Sequence, residues 1–326
     1  QVVLPLVLAI HIDEFRARYI KPAITALANQ VDYSGLGLYK YVWNSVGVPG
    51  TPPADQAAAV ALALDAGRKL DESACPQGDR HMVLAPSAQV AMVKGLVGLH
   101  NSQAQIAKQY EKGQMFDALG FKWKMDQNVN THTVGALGGT PVISATISTQ
   151  GATSVGINGW TSENSGKLKQ GDVITIADVY SVNPVSKQST GVLQQFVVQA
   201  DVSDVSGATA TVSILPAIYS TGPLQNVNRL PVDEDVVLIF AHASSAAGDV
   251  SPANLAYHSD AFCLGMADLE LPGGVDMAAR ASDPDSGLSI RLVRQYDINQ
   301  DVMPCRLDIL YGWKVLYPEY ACRVHT

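Results

Sequence analysis

Seven histidines, four cysteines and 30 acidic residues carry most of the chain's capacity for chemistry, so their spacing decides what chemistry is open to it. His11, His81, His100, His132, His242, His258 and His325 are scattered, and none forms a short-range metal pair. The tightest cluster is His258-Ser259-Asp260, a base beside a hydroxyl and a carboxylate. Its plainer reading, which we adopt, is a buried, hydrogen-bonded histidine. Asp233-Glu234-Asp235 has the charge to hold a hard cation, but it precedes an apolar run and reads as a solvated turn. Asp283-Pro284-Asp285-Ser286-Gly287 looks like half of a calcium loop without the distal bidentate glutamate, hence a Pro/Gly turn. Gly35-Leu36-Gly37 is a fragment of a dinucleotide pattern placed inside a helical segment, not after a strand.

The cysteines, Cys75, Cys263, Cys305 and Cys322, show no CxxC spacing. They read as buried or half-buried free thiols of a reducing compartment, ahead of a zinc site or a disulfide. There is no P-loop, HExxH or GxSxG. No catalytic, cofactor-binding or metal-binding residue is assigned, and the chain reads as something other than an enzyme. A triad built from distant residues stays open at this point.

Composition points the same way. Of the 326 residues 47% are apolar and only 16% charged, against about 25% charged in typical soluble domains. So little charge is suited to a surface that copies or partners cover. A net charge of −8 with no basic stripe argues against a dedicated nucleic-acid reader. An acidic surface would still suit a container that must not trap phosphate backbones.

These side chains need a scaffold, and its elements are partly legible. Residues 1–10 are apolar, lack a basic leader and an initiator Met, and are too short to span a bilayer; they read as a buried strand or interface segment of a chain that begins mid-protein. From Asp13 as N-cap, helical spacing runs through Ile20, Ile24, Leu27, Val31, Leu38 and Val42, which predicts a helix of about nine turns, kinked near Pro22. Further helices are predicted over 55–70, from a Ser87 cap to about 99, and from Ser102 to about 111, with short strands at 81–84 and 121–125. Residues 136–240 turn rich in Val, Thr, Ser, Gly and Ile. Strands are expected there at 142–148, 173–180, 196–202, 208–215 and 236–240, an inserted small barrel or sandwich. Beyond it we expect a short helix at 253–261 and long strands at 287–296 and 304–324.

The last third carries an ordered set of segments. Asn254-Leu255-Ala256-Tyr257-His258-Ser259-Asp260-Ala261-Phe262 leads into Ala267-Asp268-Leu269-Glu270-Leu271-Pro272. Ser289-Ile290-Arg291-Leu292-Val293-Arg294-Gln295-Tyr296-Asp297, Pro304-Cys305-Arg306-Leu307-Asp308-Ile309-Leu310-Tyr311-Gly312-Trp313 and Pro318-Glu319 follow. Upstream, Asp117-Ala118-Leu119-Gly120-Phe121 precedes Gln127-Asn128-Val129. This order resembles tailed-phage major capsid proteins of the group like the coat protein of phage P22. The resemblance implies an α+β, HK97-type capsid fold with an inserted all-β domain. It implies a peripheral domain with an N-terminal strand and spine helix over 1–53, and axial-domain segments over 54–135. The insertion would be 136–240, and the returning axial and peripheral strands 241–326. It also implies an icosahedral shell of pentamers and hexamers around double-stranded DNA, without cofactor or membrane. A scaffolding protein, a portal and assembly in the host bacterial cytoplasm come with it. The N-terminal arm and extended loop of that group have no counterpart here.

Two rivals remain from the residues alone. The β-rich block suits a phage decoration or attachment protein, and a dispersed site suits a hydrolase.

Overall fold

The computed structural model describes residues 21–96, 117–136, 138–160, 167–202, 209–240, 248–282 and 288–326. The expected N-terminal strand, the Asp13 cap, the helix from Ser102 and the 283–287 loop lie outside the described residues. The chain divides into two compact units, Gln1–Gly35 with Cys263–Lys314, and Leu36–Phe262 with Val315–Thr326.

In the first unit, helix α1 (Lys21–Leu36) carries Pro22 in its first described turn, where the missing N–H and fixed φ are tolerated. The helical path ends earlier than expected. It tightens into a 3-10 turn at Gly37–Tyr41, and Val42 is already extended. The Trp313 indole N–H donates to the Val31 carbonyl at 2.9 Å, and the Tyr311 and Ser34 hydroxyls are 3.0 Å apart. Gly35 owes its identity to this packing, since a Cβ there would lie 2.6 Å from the Trp313 ring. The glycine fragment is thus a seat for an indole, not part of a nucleotide loop. Gly35→Val is expected to displace Trp313 and cost about 1–3 kcal/mol, read as a shifted tryptophan emission and a lower urea midpoint; an unchanged emission would contradict the packing.

The remaining strands of this unit are β13 (Phe262–Met266) with β17 (Tyr311–Val315), and a meander of β14 (Met277–Ser282), β15 (Ser289–Arg294) and β16 (Cys305–Ile309). The expected single strand over 304–324 is therefore three strands. A break at Leu310 and the 3-10 turn Pro318–Tyr320 separate them. β14 was not expected: Met277-Ala278-Ala279-Arg280 are helix formers, and pairing with β15 across six residues overrides that preference. Arg291 on β15 holds Asp308 on β16 at 2.6 Å.

The second unit has a sheet in the order β1 (Ser45–Val46), β18 (Ala321–Val324), β12 (Asn254–His258), β2 (Arg80–Leu84) and β3 (Lys122–Met125). β12 runs antiparallel between β18 and β2. The helix expected at 253–261 is this strand, followed by a 3-10 turn at Ser259–Ala261. Leu255 and Ala256 are both buried, so both faces are covered and the apolar run shows no strand alternation.

Helix α2 (Gln56–Glu72) starts at the expected place, with Asp55 accepting the Ala58 N–H at 2.8 Å. Its Ala59, Ala63, Ala66 and Leu70 recur at helical spacing and pack with Met82, Leu84, Phe121 and Cys322 into one core. Burial in that core pushes the Cys322 thiol up to about 12, so it is inert. Helix α3 (Pro86–Leu96) begins at Pro86, so Ser87 lies within its first turn and is not the cap.

The block after residue 136 is a closed barrel. Its strands are β5 (Gly139–Ile143), β6 (Ala152–Trp160), β7 (Val173–Val182), β8 (Ser189–Val198), β9 (Ala210–Ile218) and β10 (Val237–Ile239), in the order β10-β7-β8-β9-β6-β5. Val142 bridges Val236, and Ile143 exchanges hydrogen bonds with Asp235 and Glu234 at 2.9 and 3.0 Å, which closes the ring. Closure removes the sheet edges that would otherwise invite mispairing. β6 was not expected, because Gly156 and Gly159 dilute its β signal. Its Val155 and Ile157 nonetheless join Ile143, Ile174, Phe196 and Ile214 in the barrel's own core.

The barrel enters and leaves the unit through a short ladder. β4 (Thr131–Thr133) pairs antiparallel with β11 (Val250–Pro252), and the Val134 N–H donates to the Asp249 carbonyl at 3.0 Å. The two ends of the barrel segment are therefore adjacent.

Candidate functional site

The side chains best able to do chemistry gather where the barrel meets the five-stranded sheet, and they are buried. β1 is an edge strand, and Gln195 on β8 satisfies that edge. Its amide oxygen accepts the Ser45 N–H and its amide nitrogen donates to the Ser45 carbonyl, both at 2.9 Å. A side-chain amide thus takes the place of another strand. The outward residues of β8 pack on the sheet while Phe196 and Val198 fill the barrel, which is why Gln195-Phe196-Val197-Val198 is buried throughout.

Beside this clasp, Asp172 closes the turn of residues 169–172. It accepts His132 Nε2 at 2.8 Å, the Lys169 N–H at 2.8 Å and the Gly135 N–H at 3.1 Å. His132 Nδ1 lies 3.3 Å from the Tyr39 hydroxyl. With Nε2–H donating to the carboxylate, Nδ1 accepts from Tyr39, and the tautomer is set. Arg323, on β18 and only 1% exposed, donates to the Gly171 carbonyl at 2.6 Å with its Cζ 5.8 Å over the Tyr39 ring. Burial pulls this guanidinium down to about 10, against the opposing fields of Tyr39 and Asp172. It stays charged at neutral pH.

Ser45 Oγ and His325 Nε2 are 2.7 Å apart, a hydroxyl-imidazole pair that resembles half a hydrolytic site. Ser45 is fully buried and His325 nearly so, which leaves no path for a substrate carbonyl to reach the hydroxyl. What the arrangement does chemically is hold two bodies of chain together through satisfied polar groups. Sequence reasoning missed both pairs, because 40 residues separate His132 from Asp172 and 280 separate Ser45 from His325. The one local signal was the turn at 169–172.

The candidates read from the sequence fall elsewhere. His258 Nδ1 accepts the Asp260 N–H at 3.2 Å and so caps the 3-10 turn; its ring meets Tyr320 edge-on. His81 stacks on Tyr257. Cys75 and Cys322 are buried, whereas Cys263 and Cys305 are exposed, against the expectation of buried or half-buried thiols for all four. His11, His100 and His242 lie outside the described residues. Among the described residues no three His, Cys, Asp or Glu come together as a metal set, and no helix is long and apolar enough to cross a membrane. A cleft of about 630 Å³ is lined by Arg68, Asp71, Glu72 and Arg80, but these charges pair with one another.

Of the carboxylates at 233–235, Asp235 forms an ion pair with a cation already in the chain, Arg229. Arg229 grips Asp235 with two hydrogen bonds at 2.9 and 3.0 Å, and the Val232 N–H adds a third at 2.7 Å. Burial alone would raise the Asp235 carboxyl, but these bonds outweigh it and hold the group below the usual carboxylate range. A depressed folded value stabilises the barrel above the unfolded value of about 4, and the gain is lost as pH falls through the folded value. Asp235→Asn is therefore expected to flatten the acid limb of the stability curve, measured as urea midpoints from neutral pH downward. An acid limb as steep as the parent's would contradict it.

Comparison with known proteins bears on what this scaffold is. No curated protein sequence matches the chain. A solved structure from Mycobacterium phage Che8 aligns over 95% of this chain and 66% of that one, at 13% identity and a TM-score of 0.39. The chain thus spans about two thirds of that protein's length. The CUS-3 coat protein I-domain aligns over 32% of this chain and 96% of its own, at 27% identity and a TM-score of 0.24. The assignment rests on neither alignment but on a family model, P22 coat protein (gene protein 5), which matches residues 10–323. With nearly its whole length matched, the chain belongs to the P22 coat protein family.

Proposed function

We propose that this subunit builds an icosahedral shell of pentamers and hexamers around the double-stranded DNA of a tailed phage. In this reading the fold is HK97-type. Residues 1–53 form the N-terminal strand and spine helix of the peripheral domain, and 54–135 the first part of the axial domain. Residues 136–240 are the inserted barrel, and 241–326 return through the axial and peripheral domains. The observation that carries it is the family match over residues 10–323. The low charge content and the net charge of −8 support a subunit whose faces are covered by copies and whose shell does not bind DNA tightly.

The function is geometric, not catalytic. Repeated head-to-tail contacts close around symmetry axes, and many modest interfaces sum to a stable particle. A scaffolding protein and a portal are the expected helpers, and assembly takes place in the host bacterial cytoplasm. Sedimentation of the purified protein, with and without a co-expressed scaffolding protein, tests this. Shell-sized particles are expected. Discrete trimers or monomers would favour a decoration protein, and turnover of ester or peptide substrates by monomers would favour an enzyme; either would overturn the proposal.

A further inference from the structure

The chain's own groups answer the buried Arg323 charge only in part. Nη1 has the Gly171 carbonyl, but Nε and Nη2, both buried, meet no acceptor among the described residues. Asp172 does not bond to either nitrogen; its oxygens accept from His132 and from the Gly135 and Lys169 N–H groups instead. Arg323, His132, Asp172 and His325 line a small cavity that Ile239 and Phe240 close from the barrel side. Its volume of about 10 Å³ accommodates the centre of one water-sized sphere, and nothing as large as a phosphate or a carboxylate. A dry cavity here would leave two guanidinium donors unpaired in a low-dielectric site, which is costly for a charged group.

We propose that Arg323 binds a single-centre acceptor in this cavity, a water molecule or a halide ion, which fastens strand β18 to the turn of residues 169–172. A water would accept from the guanidinium and donate its own O–H hydrogen bonds to neighbouring acceptors. A halide would only accept, and would add negative charge beside the arginine. Either occupant ties the end of the chain to the barrel through a group the sequence does not encode.

The test is a density map of the assembled protein fine enough to show ordered water, together with melting curves in chloride and in methanesulfonate at equal ionic strength. A peak within hydrogen-bond distance of Nε and Nη2 is the expected result. If melting rises with the logarithm of chloride concentration, the occupant is the halide; if the two salts give the same curve, it is water. No peak and no chloride dependence would overturn the proposal. Arg323→Met keeps the length and removes the donors. The peak should vanish in that variant, and a peak that persists would also overturn the proposal. Should the variant not fold, the parent map still decides.

Discussion

Asp172→Ala is expected to destabilise the second unit by about 3–5 kcal/mol, the cost of leaving a buried ionic group without its partner. The substitution strips His132 of its acceptor, leaves the Lys169 and Gly135 N–H groups unpaired, and removes the negative field beside Arg323. Those losses share one network, so they do not add independently. Asp172→Asn keeps the shape but turns an amide N–H toward groups that donate, and should fall between the parent and alanine. Urea unfolding followed by far-UV circular dichroism measures both. A cost below about 1 kcal/mol would be the size of an exposed pair and would contradict a buried clasp.

Removing the barrel is expected to do more. Replacing residues 136–240 by a short Gly/Ser linker is sterically simple, because β4 and β11 already bring the two ends together. The deletion should nonetheless yield aggregates or aberrant shells. It uncovers the edge of β1, whose Ser45 N–H and carbonyl lose Gln195, and it takes the Gly171 carbonyl from Arg323 and Asp172 from His132. An open edge beside an unpaired buried charge invites wrong pairing between copies. Electron micrographs of the product decide; regular shells of parental size would show that the barrel braces nothing.

Much of this architecture was legible in the sequence where local chemistry and tertiary demand agree. The helix over 55–70 stands where its Ala-rich periodicity put it, and Val, Thr and Gly content announced the β block after residue 136. The failures share a cause. β12 and the outer residues of β8 are covered on both faces, so their apolar runs carry no period to read. β14 is a strand made of helix formers because β15 lies next to it. The clasp was least legible of all. Ser45, His132, Asp172, Gln195, Arg323 and His325 are ordinary residues until the fold brings the C-terminal strand, an edge strand and the insertion's turn to one place. The motifs that did look chemical had structural jobs: Gly35 seats an indole, His258 caps a turn, and Asp235 holds Arg229.

The central claim is that this chain works by assembling into a shell with its barrel clasped to the sheet. A cryo-electron reconstruction of the particles formed by the full protein tests it most directly. The expected result is a closed icosahedral shell in which every subunit carries the barrel in one orientation, with Arg323 against the 169–172 turn. Particles that do not close, or a barrel free of the sheet in an otherwise complete shell, would contradict it.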